Sequence, residues 1–291
     1  MTLFPSRNSK RATLIGVALF FALGGRVSAA GKVETYQDIV EKAYTLSLQK
    51  DRTQAVNLLV SAARKETRKG QPPKEILTAL EEVSTIFYSD KAQQLHELAL
   101  SLRATDPNLA AQNLNEASRI EPENQQITTQ QIRLQITTGD CDGALKQQKK
   151  WSERNPYSEE IKLLGAQALL CLGKLAEYQQ VRAAVEKKNP LDLYWKTLDL
   201  EHAFKTGAFA KGRELAIQLQ NSDSVYPEPQ YWLWKFDHEL KIGDEKPARK
   251  YLAACKSLSS RALRQYLAEP RLCRRTAEVE AELKKTGGSG G

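Results

Sequence analysis

The stretch 122–156, PENQQITTQQIRLQITTGDCDGALKQQKKWSERNP, decides the fold. It begins at Pro122, carries Gly139 at its middle, and ends at Pro156, 34 residues after its start. The spacing continues outward. Pro190 follows Pro156 by 34, Gly173 and Gly207 follow Gly139 at steps of 34, and Gly243 comes after 36 more. Pro156 and Pro190 each lie 17 residues beyond a glycine. The physical reading is direct. Glycine adopts the left-handed backbone that turns one helix into the next. Proline stops the second helix, because the residue before it is pushed out of the helical region. Thirty-four residues therefore hold two helices and two turns.

The rest of the mature chain agrees. Sustained alternation and Asn-Gly or Asp-Gly hairpins are nearly absent. Amphipathic segments of about 12 to 16 residues alternate with short polar turns instead. This pattern resembles the tetratricopeptide repeat family. The resemblance implies small residues where the second helix of a unit meets its neighbours; Ala110, Ala117, Ala144 and Ala248 fit, with Leu252 one turn on. The residues from Leu200 to Gly207 and from Phe236 to Gly243 echo each other, including His202 and His238. The chain departs from the family at Tyr178 and Gly212, where alanine is usual, at Thr105 in place of a turn glycine, and in a longer loop through Tyr226, Pro227, Glu228 and Pro229.

The fold class expected is all-α: a right-handed α-solenoid of tetratricopeptide-like hairpins behind a signal peptide. Residues 1–30 are the removable signal. Residues 31–90 hold a degenerate repeat, with Lys50 and Asp51 near its turn and Ala55 and Ala62 behind it, plus an extra helix over 73–88. That helix starts at Pro72 and Pro73 and carries an apolar stripe of Ile76, Leu77, Leu80, Val83 and Phe87; Ser89 and Asp90 cap the next. Residues 91–258 hold five repeats, 259–285 are capping helices broken at Pro270, and 286–291 is a flexible Gly/Ser tail. A polar end helix suits a terminal repeat.

The signal reading rests on a positive n-region (Arg7, Lys10, Arg11), an uncharged apolar run over 12–23, and small residues at Val27, Ser28, Ala29 and Ala30, with cleavage after Ala29 or Ala30. The run is too short for the roughly 20 residues that a spanning helix needs. No cysteine follows the cleavage region, which argues against a lipid anchor. The formal charge of +8 falls to about half without the signal, leaving 39 basic and 35 acidic side chains, interspersed as on a solvated helical surface. The most basic stretch, 246–275, reads as such a face. Nucleic-acid binding needs a clustered basic stripe and a recognition module, and neither is present.

Four cysteines in an exported chain point to disulfides. Cys141 opens the second helix of its unit and Cys171 closes the first helix of the next, so antiparallel neighbours bring them side by side. Cys141 is expected to bond Cys171, and by elimination Cys255 bonds Cys273 and pins the end helix. Zinc is set aside because no short C-x-x-C pair exists. No histidine is local to a cysteine, no H-E-x-x-H, phosphate loop or nucleophile elbow occurs, and paired acids such as Glu81 with Glu82 or Glu159 with Glu160 read as exposed helix surface. No catalytic residue, metal or cofactor is assigned.

Aromatic residues give the binding lead: Tyr194, Trp195, Tyr226, Tyr231, Trp232, Trp234 and Phe236 cluster, while Trp151 stands apart. Trp232 and Phe236 share one helix face, Tyr231 and Trp234 another. One face is expected in the core and the other along a groove or under the Pro227 to Pro229 loop. Partner-binding candidates are Tyr194, Trp195, Lys205, Tyr231, Trp234 and Lys241. Family members that clamp acidic tails use basic and asparagine residues on the first-helix surface; here the inward-facing set Arg133, Glu201, Lys205, Asp237 and Lys241 is mixed in sign, which argues against that mode. The function expected is a non-catalytic protein–protein interaction scaffold of the bacterial envelope, periplasmic or secreted, binding a protein or peptide, with no nucleic acid and no integral membrane segment. The alternatives are an accessory protein on cell-wall glycan (peptidoglycan), its aromatics stacking on sugars, and a self-assembling structural subunit.

Overall fold

The computed structural model describes residues 35–68, 70–103, 105–186, 193–222, 227–258, 273 and 275–287. The expected signal segment, Pro190, the Pro270 break and the final Gly/Ser residues lie outside them. The described residues form fourteen helices and no strand: α1 (Tyr36–Leu48), α2 (Arg52–Thr67), α3 (Lys74–Thr85), α4 (Asp90–Leu102), α5 (Pro107–Ile120), α6 (Gln125–Thr138), α7 (Cys141–Arg154), α8 (Glu159–Cys171), α9 (Leu175–Glu186), α10 (Leu193–Lys205), α11 (Phe209–Ser222), α12 (Glu228–Glu239), α13 (Lys246–Leu258) and α14 (Thr276–Gly287). None is long and apolar enough to cross a membrane.

The sequence period is the period of the helices. α6, α8 and α10 start at 125, 159 and 193, and α5, α7, α9 and α11 at 107, 141, 175 and 209. Gly139 and Gly173 sit at φ 90° and 69°, a conformation in which a Cβ is penalised, and Gly207 and Gly243 repeat it. The turn after α12 also takes Lys241 to φ 55°, so it is longer, which accounts for the 36-residue step. First helices stack on first helices, α6 on α8, α8 on α10 and α10 on α12, while each packs with the second helix of its own unit. The result is an α-solenoid of tetratricopeptide-like hairpins. Its core is a row of apolar clusters passed from one layer to the next rather than a single centre.

Small residues stand where second helices meet first helices. Ala110, Ala144 and Ala248 are fully buried. At Gly212 a Cβ would lie 2.3 Å from the Phe236 ring, so α11 and α12 approach too closely even for alanine. Both cysteine pairs are bonded as expected: Cys141 to Cys171, with Cα atoms 6.1 Å apart, and Cys255 to Cys273, at 5.5 Å.

The extra helix is shorter than expected. Ile86 turns extended at ψ 139°, so Phe87 leaves the apolar stripe and packs against His96 of α4, ring centroids 5.2 Å apart. α3 packs between α1, α2 and α6, and a buried polar node joins them. Arg52, in the first turn of α2, donates from Nε to the Val83 carbonyl at 3.3 Å and from Nη2 to the Ile86 carbonyl and to Glu121 Oε2, the last at 2.7 Å. Glu121 Oε1 accepts the N–H groups of Tyr88 and Ser89, each at 2.8 Å. Asn124 donates to the Ile86 carbonyl at 3.1 Å and to Glu121 Oε2 at 3.2 Å, and its own oxygen caps α6. One cluster thus satisfies the end of α3 and the approach to α4 and α6, whose orphan groups would otherwise be buried unpaired. Burial works to raise the Glu121 pKa, but the hydrogen bonds from Arg52, Asn124, Tyr88 and Ser89 outweigh it and hold the carboxyl below its ordinary value.

These buried groups can be tested by substitution. Arg52→Met leaves the Glu121 charge unpaired at a 5 % exposed site and is expected to cost about 3–5 kcal/mol. The double change Arg52→Met with Glu121→Gln, which keeps an acceptor for Tyr88 and Ser89 but removes the charge, recovers a large part; urea denaturation of the three proteins reads this. Burial, partly opposed by Glu97, lowers the His96 pKa from 6.5 to about 4. The folded state therefore favours neutral imidazole, and this contribution is present above pH 6.5 and lost as pH falls toward 4. His96→Leu is expected to flatten the urea midpoint between pH 7 and 4.5, and an unchanged pH profile would refute the assignment.

Candidate functional site

Position 178 breaks the small-residue rule, and the break opens a groove. The equivalent positions, one period apart, are Ala110, Ala144, Tyr178 and Gly212. Among the described residues, α5 packs backbone-close on α6, α7 on α8 and α11 on α12, but α9 and α10 do not come together in this way. A tyrosine where the others have at most a methyl group holds the two helices apart. A groove of about 570 Å3 results, with α10 as its floor and α9 and α11 as its walls. It opens between the second helices α9 and α11.

The floor is a polar network centred on the Asp199 carboxylate. Tyr178 is 1 % exposed; its hydroxyl donates to Asp199 Oδ1 at 2.7 Å. Arg182 Nε reaches both Asp199 oxygens, at 2.9 and 3.0 Å. Burial, then the Asp199 charge and hydrogen bond, push the Tyr178 pKa far up, so the phenol stays protonated as donor. The His202 ring stacks on Tyr178 with centroids 5.1 Å apart. Burial, with Lys211 adding to it and Asp199 opposing, lowers the His202 pKa. The walls and rim add Gln179, Ala183, Lys196, Lys211, Glu214 and Gln218. Lys196 and Lys211 have no salt-bridge partner among the described residues. The groove thus offers apolar and amide surface with two open ammonium groups, above a carboxylate already committed.

The aromatic cluster is placed differently from expectation. Trp195 is 3 % exposed and belongs to the core. On α12 both faces are buried, the second one against α13 and α14 rather than along a groove or under the Pro227 to Pro229 loop. Trp232 and Phe236 pack on Phe204 of α10, while Tyr231 packs on Tyr251 of α13 and donates to Glu278 of α14 at 3.0 Å. The reason is α14, which the Cys255–Cys273 bond and Arg275 hold in place. The Arg275 guanidinium lies 4.4 Å from both the Tyr231 and Trp232 rings. Trp234 is buried and borders only a small cleft of about 140 Å3 with His238 and Leu283. Tyr194 is 40 % exposed, and Lys205 is exposed at the end of α10. Lys241 is exposed in the turn after α12 rather than on the first-helix surface. The other inward candidates are engaged internally: Arg133 with Glu160, Asp237 with Arg213 at 2.6 Å, and Glu201 with Arg275 at 3.7 Å. His202 and His238 match in sequence but not in setting, since His238 is 75 % exposed at its side chain. Sequence reasoning noted the Tyr178 departure without its consequence; the signal was a large side chain at a small-residue position.

No protein-family profile matches the chain, and no curated protein matches it in sequence. Among solved structures it is similar to a thermophilic tetratricopeptide repeat protein of Thermus thermophilus, at 18 % identity over 66 % of this chain and 98 % of that one, with a TM-score of 0.49. It is also similar to a tetratricopeptide repeat protein of Parabacteroides merdae, at 16 % identity over 80 % of this chain and 96 % of that one, with a TM-score of 0.44. These likenesses carry nothing about activity, and the repeat architecture stands on the helix pairing described above.

Tyr178→Phe keeps the wedge and loses one hydrogen bond to a charged group, so it is expected to cost about 2 kcal/mol and leave the groove open. Tyr178→Ala restores the small residue of the other units. It is expected to cost ~3–5 kcal/mol, and its crystal structure should show α9 settled on α10. An unchanged helix spacing in that variant would refute the wedge.

Proposed function

We propose that the protein is a repeat scaffold that acts by binding a segment of another protein in the groove between α9 and α11. The observation that carries this reading is the groove itself: one junction of a regular stack is held open by Tyr178, and its walls carry apolar, amide and charged side chains from three helices. A binding role rather than catalysis suits its titratable groups. Asp199 is engaged by Arg182 and Tyr178, and His202 is disfavoured from taking a proton. The binding surface is therefore the groove between α9 and α11, rather than the aromatic residues of α12, which serve packing.

The compartment is proposed on two supports. Two disulfides that staple neighbouring layers suit an oxidising environment. The charge, apolar run and small residues of 1–30 have the order of a secretory signal. Together they favour a cell-envelope role, periplasmic or secreted, in a bacterium.

A photo-crosslinking residue at Ala183 or Gln218, both on the groove walls, tests the function in envelope fractions. The expected outcome is a discrete adduct with one other protein, identified by mass spectrometry and missing when the crosslinker stands at Lys284. Adducts only with glycan or with a second copy of the chain would overturn the reading. The compartment has its own test. The Cys141–Cys171 bond closes a loop of 30 residues, worth about 3–4 kcal/mol in the chain-entropy model. Urea denaturation with and without reductant should show that loss, and protein taken directly from cells should resist alkylation at all four cysteines.

A further inference from the structure

The charge left over in the groove identifies its occupant more closely, on the premise that the groove is the binding site. We infer that it takes an extended acidic peptide segment, with carboxylates set against Lys196 and Lys211. The floor carboxylate cannot attract a basic partner, because both Asp199 oxygens accept from Arg182 and one also accepts from Tyr178. Lys196 and Lys211 have no salt-bridge partner among the described residues, and both line the groove. Glu214 is the one remaining acid among the lining residues, three positions after Lys211 on the same helix.

The placement also sets the form of the ligand. Lys196 stands near the start of α10. Lys211 stands near the start of the antiparallel α11, close enough to His202 for its charge to act there. The backbones of the two lysines therefore stand toward opposite ends of the groove, on the order of 10 Å apart along the helix axes by helical rise. An extended chain covers that length in roughly three or four residues. Gln179, Gln218 and Thr206 line the same space and supply amide and hydroxyl partners for a peptide backbone.

The test uses the full mature protein and two fluorescein-labelled octapeptides, one alternating glutamate with serine, the other glutamine with serine, read by fluorescence anisotropy. The acidic peptide is expected to bind at least tenfold more tightly than the glutamine peptide and to weaken markedly between 0.05 and 0.5 M salt, as screened charges do. Lys196→Gln with Lys211→Gln should weaken it by roughly tenfold, the sum of two modest ion pairs. Glu214→Gln should strengthen it, a change of sign that a merely structural effect would not give. Ala183→Trp, which fills the groove from its wall, should abolish it. Equal binding of both peptides, each lost in Ala183→Trp, would overturn the acidic class and leave the scaffold reading standing. Acidic binding that ignores Ala183→Trp would place the site elsewhere and overturn the inference. No binding of either peptide, alongside a groove adduct to a protein, would also overturn the acidic class alone; no binding and no adduct would remove both readings.

Discussion

The buried ion pair between Arg52 and Glu121 is the constraint on which the N-terminal half is built. A regular hairpin array needs no such device, because each unit meets the next through the same surfaces. Here a third helix, α3, intervenes before the regular period begins, and its C-terminal carbonyls end inside the protein. Arg52 and Asn124 donate to those carbonyls, and Glu121 accepts from the chain leading into α4. Every partner is satisfied by another member of the cluster. Such networks rigidify a structure when complete and destabilise it when partial. The same positions one period later carry Asn155 and Ser158, joined through Gln125 at 2.8 and 3.1 Å. The inter-unit hinge is therefore polar in both places, and it becomes ionic where it must also hold the extra helix.

Beyond this point a single side-chain size governs the stack. Alanine or glycine at the first contact of a second helix lets the next first helix approach, as the 2.3 Å distance from a Gly212 Cβ to Phe236 illustrates. Tyrosine at the same position adds volume that packing at native density cannot absorb, so the helices separate. The polar end of that tyrosine then needs a buried acceptor, which Asp199 provides, and Asp199 in turn needs Arg182. Opening the groove and neutralising its floor are two consequences of one residue.

The C-terminal end shows how packing redirects chemistry-rich residues. Tyrosine and tryptophan on two faces of α12 suggested one face in the core and the other along a groove or under the Pro227 to Pro229 loop. In the fold, α14 covers the outer face, with Arg275 between the rings of Tyr231 and Trp232 and with Glu278 accepting from Tyr231. The sequence held the pieces of this arrangement, the Cys255–Cys273 pair above all, but periodicity says nothing about how far a terminal helix folds back.

Local physics was enough for the helical class, the 34-residue period, the left-handed glycines, the cap at Ser89 and the Cys141–Cys171 pairing, because each depends on backbone conformation or on neighbours fixed by the repeat; Cys255 with Cys273 followed only by elimination. Arg52 and Glu121 lie 69 residues apart, and no periodic signal links them; only the packing of α2, α3 and α6 brings them together. Which aromatic faces are covered and which junction stays open were likewise settled by side-chain volume in three dimensions. A sequence fixes the spacing of elements along the chain, but the distance between two packed helices is set by the bulkiest residue at their contact.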